Sequence, residues 1–244
     1  MVPKIEWVGE WFGSPYYHIL YKNRDSNEAK MFLDKLILHL GIRNEDKILD
    51  LACGKGRHAI YLNKKGLNVT GFDICRENVR EARQHENEKL SFHVHDMQFV
   101  FRKNYFDYIF NFFTSFGYFD ARIENENVVK AAADGLKTGG KLLIDFLNPY
   151  MVMHNLAPVE IKQVNGIQFH IVKKLENDMI IKDIRFTDQD KDFHFFEKVK
   201  AIGKPEFLEY FRNAKLDLLD IFGDYALNPY VPEQSERMIF LVQK

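Results

Sequence analysis

Between residues 25 and 40 the apolar side chains fall at Ala29, Phe32, Leu33, Leu36, Ile37 and Leu40. This i, i+3, i+4, i+7 recurrence predicts an amphipathic helix with one buried face. Asp25 and Glu28 stand at capping-box spacing, and Gly41 supplies a stop. The pattern then alternates. Short apolar runs at 47–51, 68–73, 90–95, 105–113 and 141–147 predict strands, and the stretches 57–65, 76–88 and 123–136 between them predict helices. Strand and helix alternating at this spacing build a parallel sheet with helices on both faces. Such sheets take ligands at the carboxyl ends of their strands, where the strand order reverses.

After Asn148-Pro149 the helical period disappears. Four β-prone runs follow, at 159–164, 167–175, 179–186 and 193–202. Asn165-Gly166, Glu176-Asn177-Asp178 and the polar stretch 188–192 separate them. Asn-Gly between two such runs is a hairpin signal, so a small antiparallel insertion is expected. A helix at 204–213 and strands at 216–225 and 238–243 return the chain to the main sheet. The expected division is 1–157 for N-terminal helices and core, 158–202 for the insertion, and 203–244 for the return.

Composition narrows the function. A chain of 244 residues accommodates one large α/β domain with an insertion. Hydrophobic residues at 46% and charged residues at 28% are ordinary for a globular protein. The net charge of −1 lacks the basic excess of proteins that track phosphate backbones, which disfavours a nucleic-acid partner. No apolar run approaches the ~20 residues that cross a bilayer. The first residues include acidic ones and no signal-peptide core, so a cytoplasmic location is expected. Cys53 and Cys75 are the only cysteines, too few for a disulfide framework, and read as small core residues. The 22 phenylalanines suggest an aromatic core or an aromatic-lined pocket.

The chemistry concentrates in Ile48-Leu49-Asp50-Leu51-Ala52-Cys53-Gly54-Lys55-Gly56-Arg57-His58-Ala59, a strand entering a glycine turn that opens a helix. Glycines admit close backbone approach and positive φ, and a helix N-terminus offers free N–H groups. Gly54-x-Gly56-x-x-Ala59 formally fits a dinucleotide fingerprint, which leaves an NAD-dependent oxidoreductase as one alternative. Asp50 argues against it, because a carboxylate at the strand end opposes a pyrophosphate. It suits a cofactor with an ammonium group, which points to S-adenosylmethionine. Asp73 ends the second strand, where a carboxylate can accept from both ribose hydroxyls. Asp96-Met97 follows the third, where Asp can accept from an adenine amine while Met packs on the ring.

With these motifs the chain resembles the class I S-adenosylmethionine-dependent methyltransferases. The resemblance extends through the fourth-strand segment 106–111 and through residues 136–145, the turn into strand five. It implies a Rossmann-like sheet of seven strands, mostly parallel with the last antiparallel, an N-terminal helix over the cofactor and an antiparallel lid after strand five. It implies cofactor contacts from Asp50, Ala52, Cys53, Gly54 and Gly56, from Asp73 with Ile74, from Asp96 with Met97, and from Asn111. In the segment 16–21, which looks like the N-terminal helix, Tyr17 is the candidate for the carboxylate end. Ala52 departs from the glycine of many members and narrows that end. Subgroup members mostly act on small molecules, so a small-molecule methyl acceptor is expected.

Other features are weaker. His93 and His95 share a strand face before Asp96, but no third ligand with suitable spacing follows, so no metal is expected. His58 reads as structural. The aromatic segment 112–119 reads either as core or as a pocket wall for an apolar or cationic acceptor. No residue stands out as a general base, and a non-catalytic binding module is the remaining alternative. The acceptor, the methylated atom and the oligomeric state are left open.

Overall fold

The computed structural model describes residues 6–22, 26–156 and 159–244. Asp25 and Pro158, at expected element starts, lie outside these residues. Two short helices lead, α1 (Glu6–Phe12) and α2 (Pro15–Leu20), and α3 (Ser26–Leu40) follows. Ser14 caps α2 by accepting from the Tyr16 amide at 3.1 Å, with Pro15 in the first turn. Gly41, at φ +62°, ends α3 as expected.

The core then alternates: β1 (Lys47–Leu51), α4 (Arg57–Lys64), β2 (Asn68–Asp73), α5 (Arg76–Ala82), β3 (Leu90–Val94), β4 (Phe106–Asn111), α6 (Arg122–Gly135) and β5 (Leu136–Leu147). The charged helix expected to reach residue 88 is shorter. Its end tightens into a single turn at Arg83–His85, and Asn87 then pairs back with Leu90. After α7 (Pro149–His154) come β6 (Val159–Val164), β7 (Ile167–Glu176), β8 (Met179–Asp188) and β9 (Lys191–Lys200). The chain closes with α8 (Lys204–Asn213), β10 (Asp217–Phe222) and β11 (Arg237–Gln243).

The main sheet has seven strands in the order β10-β11-β5-β4-β1-β2-β3. β1 to β5 pair in parallel, and β11 runs antiparallel to both β5 and β10. The order reverses between β1 and β4, which opens a crevice at their carboxyl ends. One apolar cluster packs each face, around Phe106, Phe146 and Phe207 on one side and Phe32, Phe92 and Phe110 on the other. The second sheet, β6-β7-β8-β9, is a four-stranded antiparallel meander. Asn165-Gly166, Asn177-Asp178 and Gln189-Asp190 turn it, each pair with positive φ, as type I′ hairpins require.

A third apolar cluster joins the two ends of the molecule's roof. Trp11 and Leu20 are buried with Ile167, Phe169, Ile171, Ile184 and Phe186 of the small sheet. The N-terminal helices therefore pack on this sheet, and together they cover the crevice. No helix among the described residues is long and apolar enough to cross a membrane.

Candidate active site

A cavity of about 730 Å³ lies between the carboxyl edge of the main sheet and this roof, within the ~300–1,000 Å³ range of ligand pockets. Its floor is set by the turn after β1. Ala52 and Gly54 take left-handed conformations, φ +61° and +55°, and the Cys53 amide bonds the Phe72 carbonyl at 2.9 Å. Gly54 donates its amide to Asp73 Oδ2 at 2.8 Å, and Cys75 donates to Asp73 Oδ1 at 2.8 Å. The Asp73 carboxylate thus ties the ends of β1 and β2 together, and with the Ile74 amide as a third donor it keeps acceptor capacity for a ligand.

Asp50, at the end of β1, accepts from the Ala59 amide at 3.1 Å. Burial pushes its carboxyl up to about 7; the Ala59 bond opposes the shift, while the Asp73 charge adds to it. A cationic group placed here would restore the ionised form. Burial also raises Asp73, against the Cys75, Gly54 and Ile74 amides. Asp96 follows β3 and caps its own turn by accepting from Gln98 at 2.9 Å.

Tyr17, Asp50, Ala52, Cys53, Gly54, Asp73, Ile74, Asp96 and Met97 all line the cavity. Gly56 and Asn111 do not. Gly56, at φ +79°, precedes α4, and a Cβ there would stand 2.6 Å from the Phe92 ring, so packing requires this glycine. Asn111 is buried and donates to the Leu51 and Ser115 carbonyls at 3.1 Å each. It ties β1 to the loop after β4.

These residues fit S-adenosylmethionine. Carboxyl groups at the ends of β1 and β2 and after β3 line the cavity, the space over Gly54 is open where a Cβ would project, and Asp50 is a buried carboxyl whose ionised form an ammonium would favour. The same carboxylates would oppose a pyrophosphate. No group of three or more His, Cys, Asp or Glu suited to a metal occurs among the described residues. His93 lies against Ser91, and His95 against the Phe99 carbonyl at 2.9 Å.

The other half of the cavity contains residues of the aromatic segment 112–119, read from the sequence as core or pocket wall, and further residues that no sequence motif marks. The loop after β4 places Phe112, Phe113, Thr114, Ser115, Tyr118 and Phe119 on its wall. Phe113 and Thr114 adopt φ +56° and +62°, strained values for an aromatic and a β-branched residue. Asp145, fully buried on β5, accepts from the Phe113 amide at 2.7 Å and from Arg237 Nε at 2.8 Å. Arg237 also donates to Thr114 Oγ1 at 2.9 Å. His58 stacks on Phe113 at 4.9 Å; burial and the adjacent Arg57 push its pKa down to about 3, which keeps it neutral. From the roof, Lys182 and Glu197 face the cavity with Ile180 and Val199.

Residues 48–140 match the methyltransferase domain family. A Geobacillus protein (strain WCH70) named as a methyltransferase is 27% identical over 199 residues, 80% of this chain and 70% of its own length. The crystal structure of an S-adenosylmethionine-dependent methyltransferase from Clostridium acetobutylicum superposes with a TM-score of 0.79 at 22% identity, covering 95% of this chain and 97% of that one. The S-adenosylmethionine-bound amino pentose methyltransferase CalS10 of Micromonospora echinaspora gives a TM-score of 0.70 at 17% identity, covering 94% and 97%.

Proposed function

We propose that this chain, a class I S-adenosylmethionine-dependent methyltransferase by its fold and matched domain, methylates a small-molecule nucleophile and releases S-adenosylhomocysteine. The observation that carries the reading is the roof. The N-terminal helices and the small sheet, fused through Trp11, cover the crevice, so an acceptor must fit within the remaining part of a cavity of about 730 Å³. The amino pentose acceptor of the structurally similar CalS10 is of that size class. In the lower half, Asp50 receives the ammonium, the Gly54 turn the methionine backbone, Asp73 the ribose hydroxyls, and Asp96 with Met97 the adenine. Tyr17 approaches from α2, so the roof takes part in both halves.

When bound, the cofactor supplies a methyl group already activated by its sulfonium. This chain's residues align the acceptor and exclude water. The small sheet acts as the lid of this arrangement. Incubation with methyl-labelled cofactor and separate pools of small molecules, protein and RNA tests the proposal. Label in the small-molecule pool is expected; label confined to protein or RNA overturns it.

A further inference from the structure

The small sheet turns an almost wholly apolar face inward. On β8 the inward positions are Ile180, Lys182, Ile184 and Phe186. On β9 they are Val199, Glu197, Phe195 and Phe193, their direct cross-strand partners in that order. One charged pair interrupts two apolar stripes, and it does so at the cavity. An ion pair in such a place adds little stability over apolar residues of the same volume, so stability does not account for it. Glu197 is only 7% exposed. Its Oε1 accepts from Trp11 Nε1 at 2.9 Å and its Oε2 from Lys182 Nζ at 2.8 Å. Tyr21 is a third donor to it, so of a carboxylate's roughly four acceptor sites one remains for a guest.

Its position favours the acceptor over the cofactor. Two residues further along β9, Val199 packs beside Gly117, and the Lys200 amide bonds the Gly117 carbonyl at 2.7 Å. The strand that carries Glu197 therefore packs on the loop that follows β4, while the carboxylates of the cofactor half rise from β1, β2 and β3.

The surrounding groups select the nucleophile. A hydroxyl must lose its proton as it attacks, which calls for a base titrating near neutrality. Burial alone would raise Glu197, but Lys182 and the Tyr21 and Trp11 donors outweigh it and hold the carboxyl below its ordinary value, which makes it a weak base. His58, pushed down to about 3, is also a weak base; Asp50 is taken up by the cofactor's ammonium on the reading above; and burial together with Asp145 pushes Tyr225 up, so it keeps its proton. An amine that arrives as an ammonium gives one proton to solvent before it attacks, and as the free base it needs no enzymic base. The positive charge it gains is favoured by a carboxylate and by the aromatic residues Phe12 and Tyr118, which line the same cavity; the Tyr21 ring is already covered by Lys182.

We propose that the methyl acceptor is a small primary or secondary amine whose amino group is bound by Glu197. The proposal rests on the small-molecule reading above. The amine lone pair forms the nitrogen–carbon bond, the carbon–sulfur bonding pair leaves with sulfur as S-adenosylhomocysteine, and the ammonium product releases its proton to solvent.

The test offers methyl-labelled cofactor with three acceptor sets, amines, alcohols and carboxylates, to the wild type and to Glu197→Gln. Both proteins are also titrated with S-adenosylhomocysteine. Glutamine keeps the volume and an acceptor for Trp11 but loses the charge. Transfer to amines is expected, with the amine KM raised about 10- to 100-fold in the variant and the S-adenosylhomocysteine affinity changed less than about 3-fold. Unchanged amine kinetics in Glu197→Gln, or wild-type transfer confined to alcohols or carboxylates, overturns the proposal and leaves the small-molecule reading standing. No transfer to any set by a wild type that binds S-adenosylhomocysteine overturns both. If the variant does not fold, the wild-type S-adenosylhomocysteine complex is titrated with an amine and its isosteric carboxylate. Binding of the amine alone supports the proposal; binding of the carboxylate, or no binding of the amine, overturns it.

Discussion

Asp145 accepts the amide hydrogen of Phe113 at 2.7 Å while holding Arg237 on its other oxygen. That contact keeps Phe113 and Thr114 in left-handed conformations, each strained by about 1–2 kcal/mol, and so shapes the wall beside the methyl-transfer position. Such strain persists only where the surroundings over-determine it. Asp145→Asn, which removes the buried charge that holds Arg237, is expected to lower stability by about 3 kcal/mol in urea unfolding. A loss below about 1 kcal/mol would mean that the pair does not hold the loop.

Asp50 makes the protein's pH dependence specific. Burial pushes its folded-state carboxyl up to about 7, well above the ordinary aspartate range. Between those values the folded state binds more protons than the unfolded one, so this group's contribution to stability falls as pH rises toward 7. Asp50→Asn should therefore gain stability relative to the wild type as pH increases from 5 to 8, readable as diverging thermal midpoints. Cofactor affinity should move the other way, because an ammonium binds the ionised carboxylate. S-adenosylhomocysteine should bind the wild type more tightly at pH 8 than at pH 6, with the difference lost in Asp50→Asn. Parallel midpoints and pH-independent binding in both proteins would remove Asp50 from the ammonium site.

The two glycines of the turn separate binding from folding. A Cβ on Gly54 enters open cavity space, whereas one on Gly56 meets the Phe92 ring at 2.6 Å. Gly54→Ala should weaken S-adenosylhomocysteine binding about 10-fold or more, at a stability cost of about 1–2 kcal/mol from its left-handed backbone. Gly56→Ala should cost more stability, about 3 kcal/mol, through strain and overpacking together. Calorimetric titration and unfolding of both variants check the contrast; equal binding loss in both would contradict it.

Ala52 carries a left-handed strain that glycine would not, at φ +61°. Ala52→Gly exchanges that strain for unfolded-state entropy, and a net gain of up to about 1 kcal/mol is expected in urea unfolding. A net loss would show that the Ala52 methyl packs usefully in the floor.

Much of this architecture can be read from the chain because its signals are local. The strand, glycine turn and helix at 47–64 announce themselves within a dozen residues, and Asn165-Gly166 marks its hairpin by itself. The stretch 188–192 contains a tight Gln189-Asp190 turn with no glycine, so its polarity shows a break but not its length. Helix α1 is seven residues long, too short for a periodic signature. Gly56 matches a fingerprint, yet its requirement comes from Phe92 on another strand. Asp145 and Arg237 are 92 residues apart, and no local pattern relates them. Lys182 and Glu197 do leave a trace, as charges breaking a period-two apolar stripe, but only the pairing register shows that the two breaks coincide.

Calorimetric titration of the purified protein decides whether the cavity over Asp50 and Gly54 holds S-adenosylmethionine. Micromolar binding of S-adenosylhomocysteine is expected, with no response to NADH and loss of binding in Asp50→Ala combined with Gly54→Val. Undiminished binding in that double variant, or binding of NADH in place of S-adenosylhomocysteine, would contradict it.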